Sequence, residues 1–444
     1  MDQKTAATLE SSPGAMAGSH PPGSAAAPDP ASPPHQTAAG RSLLTTLWAS
    51  TTYFGEGLPY SVVHLMTPQY FTAMGATLRA IGFTSLYGLA WNLKLLWAPL
   101  VDLTGTKRRW VIATQLILAA LIAALAIPAA AHDLYLFAWL LIPVAFMAAT
   151  QDVAVDGFYL QALDDRQQAG YSGVRVAAYR IAMLVGNGAL VILAGTVSWL
   201  AAYLTAAVMM AALALAHRWL LPRPVAAISA PGQPRAGTAD FARAFTTFLE
   251  QPRVAIAIAF ILTFRLGDAM MIAMQVPFLK HLGLETAERG FILGTIGTIG
   301  AIGGSILGGI LIAKLGLNRC IWPLSVIQSL SIPGYIYMAL ARPDRLTLTA
   351  ILTFEQIAAG VGTAVFVVFL MRRCRSRYRA SHFAIVTALM SITVTVSGSL
   401  SGILADRLGF PHFFMLCFAL TWPGLVLIPF LPRQPADALD AARA

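Results

Sequence analysis

Residues 134–160, "LYLFAWLLIPVAFMAATQDVAVDGFYL", contain just two charged side chains, Asp152 and Asp156, both close to the end of the run. A helix needs about 20 predominantly apolar residues to cross the hydrocarbon core of a bilayer. This stretch is long enough to span and too long for an ordinary buried core helix. The same reading recurs along the chain, at roughly 43–71, 80–101, 110–131, 134–158, 173–198, 200–220, 254–279, 290–313, 320–341, 347–371, 382–404 and 411–431. Composition agrees, with 57% apolar and 11% charged residues and a mean hydropathy of +0.67. A soluble domain has about a quarter of its residues charged. The spacing predicts an all-α integral membrane protein of twelve transmembrane helices.

The net charge of +10 does not point to nucleic acid, because lysine and arginine gather in alternate loops. "TGTKRRW" (104–110), "HRWLLPRP" (217–224) and "RRCRSRYR" (372–379) lie on one side, and the intervening loops are poor in basic residues. The positive-inside rule makes the rich side cytoplasmic, with both termini there. Residues 1–40 are rich in Pro, Ala, Ser and Gly and read as a disordered cytoplasmic tail. The spans divide into 41–220 and 253–433, joined by a cytoplasmic linker at 221–252 and followed by a tail at 434–444. Cys320, Cys374 and Cys417 are scattered, so neither a disulfide framework nor a zinc site is indicated. No cofactor or metal is expected. HExxH and GxSxG are missing and no Ser/His pair shares a depth, which argues against an enzyme.

The two halves echo each other. "YFGEGLP" (53–59) and "FRLGDAM" (264–270) each set a Gly–acid pair mid-span, and "IGFTSLYG" (81–88) resembles "RGFILGTIG" (289–297). The offset stays near about 210 residues, as duplication produces. Two six-helix halves in parallel resemble the major facilitator architecture. That resemblance implies that the first, fourth, seventh and tenth helices line a central cavity.

Charges in hydrocarbon cost about 2.5–3.5 kcal/mol each even on insertion scales, so they face protein or water. The spans carry Glu56, Lys94, Asp152, Asp156, Arg180, Arg265, Asp268 and Glu355. Asp152 and Asp156 share one helix face, about 6 Å apart in depth. With Lys94 and Arg180 they are expected to form a cluster towards the cytoplasmic side. Arg265 and Asp268, three apart, can pair locally. Glu56 and Glu355 have no partner nearby in sequence, and carboxylic acids so placed suit uptake and release of a proton. Expected proton-coupling residues are thus Asp152, Asp268, Glu56 and Glu355. Lys94, Asp156, Arg180, Arg265, Tyr179, Gln275 and Gln356 form the expected charge network or substrate site. Asp102, Lys107, Arg108 and Arg109 are expected to form gating bonds, and Tyr60, Trp91 and Tyr179 are among the aromatics that could stack on a sugar.

"YFGEGLPYSVV", "LKLLWAPLVDLTGTKRRW", "TQDVAVDGFYLQAL", "AYRIAMLVGNG" and "FRLGDAM", in this order over about residues 45–430, resemble the AmpG family of bacterial muropeptide permeases. Acetyl-CoA transporters are more distantly similar. The resemblance implies proton-driven import of anhydromuropeptides across the inner membrane by alternating access, in peptidoglycan recycling. Carried over, the family's paired aspartates are Asp152 and Asp156, its basic–acid pair Arg265 and Asp268, and its motif lysine Lys94. Glu56 departs from the pattern, which usually has a small residue there, and the Pro-rich N-terminal tail is foreign to it. The expected partners are a polar small molecule, protons and the bilayer, with the protein acting as a monomer. A siderophore, sugar–peptide or acyl-CoA cargo is the alternative.

Overall fold

The computed structural model describes residues 38–223, 238–374 and 379–432, so nearly all of the two tails and much of the linker lie outside the described residues. The helices are α1 (38–73), α2 (78–103), α3 (Lys107–Ala131), α4 (Leu134–Ala162), α5 (165–196), α6 (Trp199–Leu220), α7 (Val254–His281), α8 (Thr286–Leu315), α9 (Leu317–Ala341), α10 (Arg345–Arg372), α11 (379–408) and α12 (410–430). A short amphipathic helix, Thr238–Leu249, precedes α7. Among the described residues nine helical stretches are long and apolar enough to cross a membrane. The last of these, 382–430, reverses at Gly409 (φ 71°) and is α11 and α12 together. The remaining two passes, α1 and α2, are interrupted by π- and 3-10-helical turns. Glycine suits the reversal because a left-handed φ costs it nothing.

Local chemistry starts the helices. Asp133, Ser198 and Asp344 accept hydrogen bonds from the first backbone amides of α4, α6 and α10, satisfying donors that have no intrahelical partner. At α5 the start is a capping box: Asp164 accepts from the amide of Gln167, whose side chain accepts from the amide of Asp164. This box begins α5 several residues earlier than the apolar run alone implies.

The connections 104–106, 163–164, 221–223 and 250–253 mark one end of the bundle, here the basic end; 74–77, 132–133, 282–285 and 342–344 mark the far end. At the far end the first six helices meet the last six along two seams, α5 against α8 and α2 against α11. Glycines permit both. A Cβ on Gly294 would stand 2.1 Å from the carbonyl oxygen of Asn187, and one on Gly402 would stand 2.1 Å from that of Leu78. Polar ties lie across the same end: Arg79 with Asp406 (2.8 Å), Lys280 Nζ donating to the Thr72 carbonyl (2.6 Å), and buried Arg289 donating to Gln69 Oε1 (3.0 Å).

The apolar core follows the same asymmetry. One cluster runs through both halves, from Tyr70, Phe137 and Tyr203 to Phe278 and Phe414. Towards the basic end it gives way to two separate clusters. One, around Trp48, Tyr53 and Phe158, belongs to the first half; the other, around Phe260, Phe366 and Phe369, belongs to the second. The halves therefore share a core at the far end and part at the basic end.

The seams give a testable consequence. Gly294→Val overpacks α5 against α8, which costs about 1–3 kcal/mol in the closed arrangement and should speed entry from the far face about five-fold or more. The readout is labelling, by an impermeant maleimide added at that face, of a cysteine placed at Ile272 of α7, which lines a cavity between the halves, in a background without Cys320, Cys374 and Cys417. Gly303→Val, on the same helix with open space around it, should leave the rate unchanged. Equal rates in both variants would show that the seam does not hold the far end shut.

Candidate functional site

Between the halves lies a cavity of about 340 Å3 whose lining comes from α1, α2, α5, α7, α8 and α11. Each of the three π-helical stretches, Val62–Met66, Leu184–Leu190 and Gly290–Gly297, contributes to it, through His64, Asn187 and Leu293. A π turn shifts the helix face by an extra residue, and such turns recur at functional sites. Tyr60 is shared with a second groove, of about 400 Å3, lined by Tyr53, Glu56, Arg175, Tyr179 and Arg180.

Aromatic rings join the two spaces. Tyr60 contacts His64 at 4.4 Å between ring centroids, Trp91 at 5.5 Å and Tyr179 at 5.7 Å, and His64 contacts Trp91 at 4.8 Å. These rings come from α1, α2 and α5. Gly57 lets α1 and α5 approach, since a Cβ there would lie 2.9 Å from the Tyr179 carbonyl.

The expected inner cluster forms with one change of member. Lys94 donates to Asp152 Oδ2 in an ion pair. Asp156 accepts from the Tyr53 hydroxyl at 2.8 Å and pairs with Arg175, not Arg180, at 3.5 Å. The Arg175 guanidinium lies over the rings of Tyr53 (4.7 Å) and Tyr159 (5.4 Å), an arrangement that favours a cation. The physical reason is the early start of α5. From Asp165, Arg175 lies about 15 Å along the helix and Arg180 about 22 Å, near mid-membrane. The Asp164–Gln167 capping box was the signal in the sequence that could have placed Arg175 inside the span.

Glu56 lies within electrostatic reach of Asp152 and Asp156, and its Oε2 is buried without a hydrogen-bond partner among the described residues. Arg180 lines the same groove; among the described residues its guanidinium contacts only the Met183 sulfur, at 3.9 Å. The groove thus holds a carboxyl group and a guanidinium that do not bond to each other.

In the second half the acids sit behind the cavity. Arg265 pairs with Asp268 at 2.7 Å and donates to Thr363 Oγ1 at 3.1 Å, the local pairing expected from their spacing. Asp268 is 2% exposed and faces Gln328, Ser329 and Thr421 around a space of about 10 Å3, not the central cavity. Such a space is about the size of one water. Glu355 is fully buried, and its Oε2 accepts from Gln275 (3.2 Å), Tyr335 (3.2 Å) and Gln356 (3.0 Å) while Oε1 has no partner. Gln275 also donates to Tyr335 and lines the cavity, so a single side chain separates Glu355 from it. Tyr335 was not foreseen; it is one more tyrosine in an apolar run, and only the tertiary fold turns its hydroxyl to Glu355.

Of the four residues expected to gate, three have described side chains. Arg108 donates to the carbonyls of Leu221 (3.1 Å) and Arg218, tying α3 to α6 within the first half. The Arg109 side chain is exposed, and the stem of Lys107 lies against Gly157, 3.0 Å from where a Cβ would stand. The side chain of Asp102 is outside the described residues.

Comparison with known proteins accords with this architecture. The family model for the Major Facilitator Superfamily matches residues 49–355, and the chain belongs to that superfamily. It is 28% identical over 382 residues to the anhydromuropeptide permease of Escherichia coli (strain K12), covering 84% of this chain and 77% of that one. Among solved structures it shares the fold of a D-xylose–proton symporter (TM-score 0.69, 12% identity, 89% of this chain and 98% of the other). A nucleoside transporter, NupG, also matches in fold (TM-score 0.65, 15% identity, 87% and 98%). These proteins are permeases and transporters, and the chain is a multi-pass membrane transporter.

The Lys94–Asp152 pair can be weighed by a double-mutant cycle in detergent. Lys94→Met leaves Asp152 facing Glu56 and should lower stability by about 1–3 kcal/mol, below a fully buried pair because the groups retain some exposure. Adding Asp152→Asn should recover much of that loss. Strictly additive effects would mean the pair contributes nothing.

Proposed function

We propose that this member of the Major Facilitator Superfamily is a proton-coupled importer of anhydromuropeptides or closely similar sugar–peptides, working by alternating access in the inner membrane of a bacterium. The observation that carries the reading is a cavity and an adjoining groove that share Tyr60 and together hold a sugar-sized set of rings, a guanidinium and a carboxyl group, neither of which is in an ion pair among the described residues. Tyr60, Trp91 and Tyr179 offer faces for a pyranose ring. Arg180 offers a guanidinium suited to the carboxylate of a peptide stem. Glu56, beside Asp152 and Asp156, offers a place for a proton. The similarity to an anhydromuropeptide permease supports the choice of cargo.

Electrostatics supplies the coupling. With Glu56 ionised, three carboxylates share the positive charges of Lys94 and Arg175; a proton on Glu56 leaves two against two. Like charges at short range in low dielectric repel strongly, so gain or loss of that proton biases the halves between two arrangements. By the positive-inside rule the basic end faces the cytoplasm, and the arrangement with a joined far end is then the inward-open one. Domain boundaries at 41–220, 221–252 and 253–433 follow from the same two-lobed reading.

The test is uptake of labelled anhydromuropeptide into proteoliposomes under an imposed pH gradient. Accumulation should need the gradient. Glu56→Gln or Asp152→Asn should abolish uphill uptake and retain exchange. Trp91→Ala should raise KM about ten-fold with little change in kcat, the loss of one stacking face of about 1 kcal/mol or somewhat more. Gradient-driven uptake of a siderophore or acyl-CoA instead would assign another cargo, and unaltered accumulation by both carboxamide variants would remove these acids from the coupling.

A further inference from the structure

Four arginines meet where α3 begins and α6 ends: Arg108 and Arg109 on one side, Arg218 and Arg223 on the other. They edge a groove of about 430 Å3 at the basic end, apart from the central cavity. Arg108 is engaged by the carbonyls that close α6. Arg109, Arg218 and Arg223 are exposed, and among the described residues none is in an ion pair and no acid lines the groove. So many cations at one spot repel one another unless an anion lies between them.

The remaining lining is apolar. Ile112, Ala113 and Leu116 continue the groove along α3 away from the arginines, and Trp219, next to Arg218, also lines it; Leu116 is 43% and Trp219 78% exposed. An exposed tryptophan of this kind marks the level of lipid headgroups. A free phosphate would use only the arginines. A phospholipid would use both parts, with its phosphate among the guanidiniums and an acyl chain along the Ala113 and Leu116 face. We propose that the groove between α3 and α6 is a binding site for an anionic phospholipid of the leaflet at the basic end. Basic pockets between transmembrane helices are suited to such headgroups. The site fastens the two helices through the lipid as Arg108 fastens them through backbone carbonyls.

The test uses the full chain in mild detergent, with native mass spectrometry to count lipids retained. Phosphatidylglycerol should bind the native protein in preference to phosphatidylethanolamine. Arg218→Gln/Arg223→Gln should weaken phosphatidylglycerol retention about five-fold for each arginine removed and leave phosphatidylethanolamine unchanged. Arg223→Gln alone, beyond the end of α6, keeps the test open should the double variant fail to fold; it should weaken binding about five-fold. Equal retention by native and variant proteins overturns the proposal. So does saturation by inorganic phosphate with no further preference for phosphatidylglycerol, which would make the groove a free-anion site.

Discussion

Hydrocarbon offers no hydrogen bonds, and that deficit organises this molecule. Each charged group carried into the membrane must find another protein group or water. Lys94 and Asp152 pair, as do Arg175 and Asp156, and Arg265 and Asp268. What remains is the informative part. Glu56 and Arg180 reach the same groove without a mutual bond, and Glu355 is enclosed by neutral donors only.

The helices and the two-lobed plan were legible in the sequence because they rest on local or periodic signals: apolar length, alternate basic loops, and echoes such as "YFGEGLP" and "FRLGDAM". The pairing of Arg265 with Asp268 was legible for the same reason, being a matter of helical spacing. Arg175 was hidden because hydropathy places its residue at the edge of a span, whereas a hydrogen-bonded cap, not hydropathy, sets where α5 begins. The direction in which Asp268 faces was also hidden. Spacing locates a residue along a helix, but the packing of α9 and α12 around it decides which void it borders. In the basic turn after α2, the partner of Arg108 was hidden for a related reason. A long side chain is free to reach any of several carbonyls, and the C-terminus of α6 was the one within reach.

The glycines carry a different kind of information. Gly300, Gly304 and Gly308 of α8 stand four apart on one face, the spacing for close helix packing, and that face lies against α10. In the fold the seam against α5 also runs through a stretch of widened helix on each side. Close backbone contact and altered helical winding occur at one place, next to the cavity. A surface built that way is held by shape, with few polar bonds to break, and so is suited to separating and rejoining.

The split of the apolar core has a thermodynamic corollary. If rocking parts the shared cluster at one end while fusing the two at the other, the hydrocarbon surface shown to water differs between the end states unless the two areas match. Any mismatch appears as a heat-capacity difference, so the equilibrium would bend with temperature instead of following a straight van't Hoff line. Growth temperature would then be a selective pressure on the sizes of these clusters, independent of anything the carrier binds.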